Sequence, residues 1–489
     1  MPNLFSRKDL SSSHQVRGEI TIYLALILGI MLSLILTLVE GARRSAVKMQ
    51  IECVVDMGLD SIFAEYHREL LRQYDLFFID TSYGTNLPSL AATENHLVDY
   101  MEYNFNPAKF QLVFGARDWL GIRTQLLAIS EFSTATDEKG SVVRRQILQY
   151  MKDKFFVEDF NRLVKNQSEV TRNHLHETNL QSEKDRNREE LNQKIHEKEK
   201  AENQELVVEV PSDQSNQIRG LSLLPYITEG STKISRTTVN LPEYISYRDP
   251  LKGNGIPYNH QEKNGIMDEF LISEYMLDKC GYYNMEKSEG QLAYQIEYIL
   301  AGQNNDYGNL SEVANRLLMI REASNMIYLW SDTGKVAEAE AMAVLISTLA
   351  LVPEAEPALK QLILLTWATA ESICDLKAIY KGEKIPMMKT SATWKLSFFQ
   401  FSNFGAGGTS GTDSSDGLTY KEYLRVLLSL QNADDKMIRF LDIVEMDIRM
   451  TDYNQDFRMD ACIDSLTVDA LFYSHFGFQY GIRRFYSYG

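Results

Sequence analysis

Hydrophobic and polar positions divide this chain into zones of different period. From Ile20 to Val39 no residue is charged and few are polar (ITIYLALILGIMLSLILTLV). At about 1.5 Å per residue such a helix is about 30 Å long, the thickness of a bilayer's hydrocarbon core. A cleaved secretory leader competes with this reading, but the run exceeds the roughly 7–15 apolar residues usual there. The nearest cleavage signal, Val39-Glu40-Gly41 before Ala42, is also poor. The pattern predicts a retained transmembrane helix at 20–39 behind a short cytoplasmic stub or leader at 1–19.

Past Val39 the period changes while the helix continues. Val47, Ile51, Val54, Val55, Leu59, Ile62, Phe63, Tyr66, Leu70 and Leu71 recur at three- and four-residue steps, with no proline from Ala42 to Gln73. This predicts an amphipathic extension of one rod as far as Gln73. Leu76 to Asp80, short and aromatic, reads as a buried strand ahead of a Tyr83-Gly84 turn. Thr124 to Ser133 reads as a second strand. A helix from Ser141 to Val164 carries Val143, Ile147, Leu148, Met151, Phe155 and Phe156 on one side. Together these predict an amphipathic extension and small α/β unit over 40–164.

Over 165–215 the apolar pattern collapses into charge. Val170, Leu175, Leu180, Leu191 and Ile195 sustain no heptad seam, so a charged helical arm or linker is expected, closed by Pro211. From 216 to 489 a larger, mostly helical domain follows. Leu292, Tyr294, Ile296, Tyr298 and Leu300 alternate as in a strand, although Ala293 and Ile299 leave a helix open. Asn309 with Glu312 resembles a capping box ahead of LLMIREASNMIYLW, Gly334 breaks the chain, and Pro357 starts ALKQLILLTWATAESICDLKAIY. These three helices should form an α-hairpin bundle. Phe398 to Gly417 reads as a surface loop, and Thr419 with Glu422 caps a helix through Leu430. The fold class is α+β and predominantly helical.

Composition narrows the function classes. Hydrophobic content of 44% and charged content of 24% suit a folded protein, and about 450 residues follow the span, enough for a sizeable core. A net charge of −17 repels phosphate backbones and argues against a nucleic-acid partner. Cys53, Cys280, Cys374 and Cys462 form no C-x-x-C pair, which excludes a zinc ribbon; buried thiols are expected, with an isolated disulfide left open.

Candidate chemistry is thin. Asp80-Thr81-Ser82-Tyr83-Gly84-Thr85 approaches a D-x-S-x-S cation loop, but Gly84 stands where the second serine belongs, so a turn capped by Asp80 is preferred. Asp452 to Asp456 alternates oxygen ligands like an EF-hand, yet Phe457 replaces the turn glycine and Ile463 the bidentate glutamate. His174 and His176 lack zinc-chelating spacing. Gly408-Thr409-Ser410-Gly411 lacks the context of a nucleophile elbow, and Glu338 with Glu340 is one acidic pair among many. No enzyme, cofactor or metal is expected.

The stretch from Gly18 to Leu26 (GEITIYLAL), with EGARRSAVKMQIECVVDMGLDSIFAEYHRELLRQYDLFFID after it, resembles an uncharacterised bacterial family of single-span envelope proteins. That family is similar to TadE/TadG-type pseudopilins of tight-adherence pilus loci. YQIEYILAG, NRLLMIREASNMIYLWSD and WATAESICDLKAIYKGEKIP carry the same resemblance. It implies a single-pass protein of the cell membrane, its bulk extracytoplasmic, acting without catalysis as a minor pseudopilin-like or accessory component of a pilus or secretion assembly. Its partners would be membrane lipid through 20–39 and other envelope or pilus-assembly proteins. Prepilin-type processing would fall between Gly18 and Glu19, although Tyr23 stands where such leaders usually carry glutamate. The alternative is a membrane-tethered extracytoplasmic binding or sensory module.

Overall fold

The computed structural model describes residues 15–85, 87–106, 118, 120–154, 185–197, 200, 223–228, 234–255, 265–285, 290–398, 400 and 417–488. Helix α1 (Gln15–Phe63) runs unbroken for 49 residues. Every side chain from Ile20 to Val39 is exposed, whereas Val47, Ile51, Val54, Val55, Leu59, Ile62 and Phe63 are buried. Among the described residues this is the one helix long and apolar enough to cross a membrane.

The rod ends ten residues short of Gln73. At Tyr66 the chain pairs with Ile79, and the His67 amide donates to the Phe78 carbonyl (2.8 Å). His67 then caps a separate helix, α2 (Arg68–Tyr74), accepting from the Leu70 amide. Leu70 keeps the helical spacing because α2 is itself helical, but it packs into a different core. Of the predicted strand from Leu76, only β1 (Ile79–Asp80) pairs.

Helix α3 (Leu90–Phe105) packs on the covered half of α1, and Gly58 lets them approach: an added Cβ there would lie 3.0 Å from Leu97. Both helices rest on an antiparallel sheet. Its centre is β3 (Cys462–Tyr473), with β2 (Arg123–Thr134) along one side. Along the other lie β1, pairing Ile79 with Ile463, and then β4 (Gln479–Ser487), pairing Ser487 with Ser465. β4 also runs beside α1 in the same direction. Tyr480 donates to Glu52 (3.0 Å), Arg484 to Asp56 (3.2 Å) and Tyr486 to Asp60 (2.5 Å).

The sheet redraws the domain boundary. The division at 40–164 and 216–489 does not follow it, because β3 and β4 come from the far end of the chain. Helix α4 (Ser141–Lys154) meanwhile buries Val142, Val143, Ile147 and Met151 in the helical core. Strand pairing follows proximity in space, and residues 462–488 return to complete the unit begun by α1.

The helical body continues with α5 (residues 185–197), α6 (Leu223–Ile227), α7 (Ile266–Lys279) and α8 (Gln295–Ala301). It is completed by α9 (Asp306–Ser331), α10 (Thr333–Leu349), α11 (Glu356–Tyr380), α12 (Tyr420–Leu430) and α13 (Ala433–Arg449). Helices α9 and α10 both pack on α11, forming the expected hairpin bundle. The alternation from Leu292 to Leu300 is not a strand: Gln295 to Ala301 is helical, buried on every side and closed by Gly302 at φ 72°. Asn305, not Asn309, caps α9, accepting from the Gly308 amide (2.7 Å). Thr419 and Glu422 make the reciprocal capping box. Within the charged stretch, α5 buries Leu191 against the body, and Lys194 donates to the Glu354 carbonyl. The remainder of the expected arm, and residues 401–416 of the expected loop, lie outside the described residues.

Candidate functional site

Helices with broad apolar stripes cannot hide an ion without a partner, yet three sequence motifs carry charges inward. In NRLLMIREASNMIYLWSD, Arg321 lies on the buried face of α9; in WATAESICDLKAIYKGEKIP, Glu371 and Asp375 lie on α11. Arg321 Nε and Nη2 donate to Asp375 Oδ2 at 3.1 and 2.8 Å. Its Nη1 donates to the carbonyls of Pro386 and Met387, both at 2.9 Å. Lys389 donates to Glu371 (2.7 Å) and sits 2.6 Å from Asp375 Oδ1. Two cations face two carboxylates, so charge balances. Burial opposes the Asp375 charge, but Arg321 and Lys389 overcome it and hold the carboxyl below its ordinary range. The network pins the 385–396 segment to the bundle.

The third motif, YQIEYILAG, contributes Glu297. This side chain is fully buried and accepts from the Tyr283 amide (2.9 Å) and the Tyr420 hydroxyl (2.7 Å). Its second oxygen has no hydrogen-bond partner among the described residues. Burial without a cation pushes this carboxyl up to about 7. On α13, Asp442 accepts from Ser246 and Tyr298, Glu445 from Arg248 and Arg449, and Asp447 from Tyr74 and Gln295. These groups join α13 to elements far apart in sequence. Their geometry is that of a scaffold.

One open cleft has a different character. It holds about 420 Å³ between the end of β2, the start of α4 and the segment 250–255. Its lip is the turn Glu138-Lys139-Gly140, with φ of 47°, 56° and 84°, a left-handed run that costs about 1–2 kcal/mol per non-glycine residue. Asp137 brackets the turn, accepting from the Thr134 amide (2.7 Å) and the Gly253 amide (2.9 Å). Gly253 lies so close to β2 that an added Cβ would fall 2.4 Å from the Phe132 carbonyl oxygen. Ser133, Thr136 and Ser141 supply hydroxyls, and Lys139 and Lys252 supply cations. With the Asp137 and Glu138 carboxylates, the cleft offers donors, acceptors and both signs of charge to a polar ligand.

The candidates from sequence are dispersed. Gly18 and Glu19 lie within the helical backbone of α1. Asp80 caps its own turn, accepting from the Ser82 amide (2.9 Å) and hydroxyl (2.6 Å). In the Asp452 to Asp456 turn, Asn454 Oδ1 lies 3.1 Å from His67 Nε2. His174, His176 and Gly408 to Gly411 lie outside the described residues. Glu340 is paired with Lys360. Cys280, Cys374 and Cys462 are buried and Cys53 is exposed. Among the described residues, no three His, Cys, Asp or Glu side chains converge as a metal site.

Residues 196–474, more than half of the chain, match a family of unknown function, DUF5702. The chain belongs to the DUF5702 family. No curated protein and no solved structure matches it. The DUF5702 region holds Arg321, Asp375, Glu297, the α13 carboxylates and the central strand β3, whereas Tyr74, α1, α3, β1, β2 and β4 lie outside it. The family match therefore ends inside the sheet. Motif spacing gave no hint of the cleft, whose walls join residues 133–142 to 250–255 and to Ile438 of α13. The signal for the ionic network was present, as an arginine inside an apolar helical run.

Proposed function

We propose that this DUF5702 protein is anchored in the cell membrane by residues 20–39, with its head outside the cytoplasm. It serves without catalysis as a minor pseudopilin-like or accessory component of a tight-adherence-type pilus or secretion assembly. One observation carries this reading: α1 is bare from Ile20 to Val39 and packed under a globular head from Val47 to Phe63. Pilin-type subunits need that division, one half for lipid and for neighbouring helices, the other for the head. The non-catalytic part is supported by the buried carboxylates, whose partners are chiefly backbone amides and structural side chains. Deleting the gene and imaging surface filaments tests the assembly role, with loss of filaments expected. Protease digestion of intact cells tests the orientation, with the head expected to be cleaved.

A tethered binding or sensory module is the second reading, favoured by the strained lip of the cleft. Left-handed backbone at non-glycine residues persists only where surrounding structure enforces it, and it concentrates at ligand sites. Normal filaments in the deletion strain, with a lost response to an external ligand, would favour this alternative.

A further inference from the structure

We infer that the β3–β4 hairpin is a second membrane contact, seating its aromatic tip in the phospholipid headgroup layer beside the point where α1 leaves the bilayer. This rests on the proposal that residues 20–39 stay in lipid. Arg43 lies four residues beyond Val39, about 6 Å along the helix axis, and the headgroup layer is roughly 5–8 Å deep on each side. At that level the hairpin meets the helix. The Arg43 guanidinium carbon lies 4.9 Å from the Phe476 ring centre, and that of Arg44 lies 4.7 Å from Phe478. One turn further, Lys48 lies 5.9 Å from Tyr480.

The tip is unusual for a turn facing water. Its sequence is Tyr473-Ser474-His475-Phe476-Gly477-Phe478, with Gly477 at φ 79° making the bend. Tyr473 and Phe476 remain exposed. Aromatic rings and arginines are the side chains that settle at a membrane interface, rings among the acyl–headgroup boundary and guanidinium groups on phosphate. Nor can the tip swing away from that height, since Tyr480, Arg484 and Tyr486 tie β4 to Glu52, Asp56 and Asp60 of α1. Helix and hairpin thus meet the surface together and fix the tilt of the head.

The test uses the full chain carrying Cys53→Ser, reconstituted in vesicles of phosphatidylethanolamine and phosphatidylglycerol. A spin label is placed in turn through Gly29→Cys, Phe476→Cys and Tyr453→Cys, the last a 90% exposed side chain. Relaxation by oxygen against a water-soluble nickel chelate reports depth. The expected order is hydrocarbon for 29, headgroup layer for 476 and water for 453. If 476 matches 453 while 29 sits in hydrocarbon, the hairpin seat is overturned and the anchor stands. If 29 is itself accessible to nickel, the anchor fails and the hairpin inference falls with it.

Discussion

Arg321 and Asp375 face each other with neither side chain touching solvent, two guanidinium nitrogens donating to one carboxylate oxygen at 2.8 and 3.1 Å. Such a pair is costly to break from one side, because the surviving ion stays buried. Arg321→Met is expected to lower unfolding free energy by about 3–5 kcal/mol. Lys139→Ala, which removes the exposed pair with Asp434, is expected to leave the midpoint unchanged. Urea titration of the detergent-solubilised protein compares the two.

Glu297 sets a stability window in pH. Its folded carboxyl titrates near 7 against an ordinary value of 4.5, so between those values the folded state holds a proton that the unfolded state has released. Its contribution is full below about 4.5 and is lost as pH rises through about 7, a swing of roughly 3 kcal/mol. Asp442, raised to about 6 by burial, acts with the same sign over a lower range. Glu297→Gln should flatten the dependence of urea midpoint on pH between 5 and 8 relative to the parent chain; an unchanged slope would count against this assignment.

Gly140 closes the left-handed turn at the cleft. An alanine there keeps φ near 84° at a cost of about 1–2 kcal/mol. Its Cβ would also meet Met437 at 2.7 Å, adding about 1–3 kcal/mol of overpacking. Gly140→Ala should therefore lower the thermal midpoint clearly, while Gly382→Ala, at φ 95° with open space around it, should lower it less.

Covered and bare halves of α1 predict the outcome of truncation. A chain starting at Gly41 should fold and remain monodisperse without detergent. One starting at Ala64 should not, because Val47, Ile51, Val55, Leu59 and Ile62 fill the core above the sheet. Circular dichroism and size exclusion of the two fragments decide this.

Local signals were legible and distant ones were not. Thr419 and Glu422 are read correctly from sequence because both halves of the capping box lie within one turn. The apolar steps from Val47 to Phe63 match the buried face of α1, since one helix face meets one core. Leu292 to Leu300 misleads because α8 is surrounded: Gln295 and Glu297 are as buried as Ile296 and Tyr298, so alternation carries no information about faces. Gly302 was the usable stop signal. β3 is harder to read although Thr467, Val468 and Phe472 favour strands: it is buried along most of its length, so it shows no clean alternation, and of its partners only β4 lies nearby, β1 and β2 coming hundreds of residues earlier. The cleft left only Gly140, Gly253 and Gly255 as marks, and glycines are common in loops.

Placing the central strand so far downstream of α1 has a temporal consequence. The greasy stripe from Val47 to Phe63 can be met early by α3, yet it gains its central strand and β4 only when Cys462 to Ser487 is made. Until then part of that adhesive seam stays open on the nascent protein. Closure of the head thus waits for residues far downstream of α1, and a product cut short before Cys462 would present that seam to chaperones and proteases.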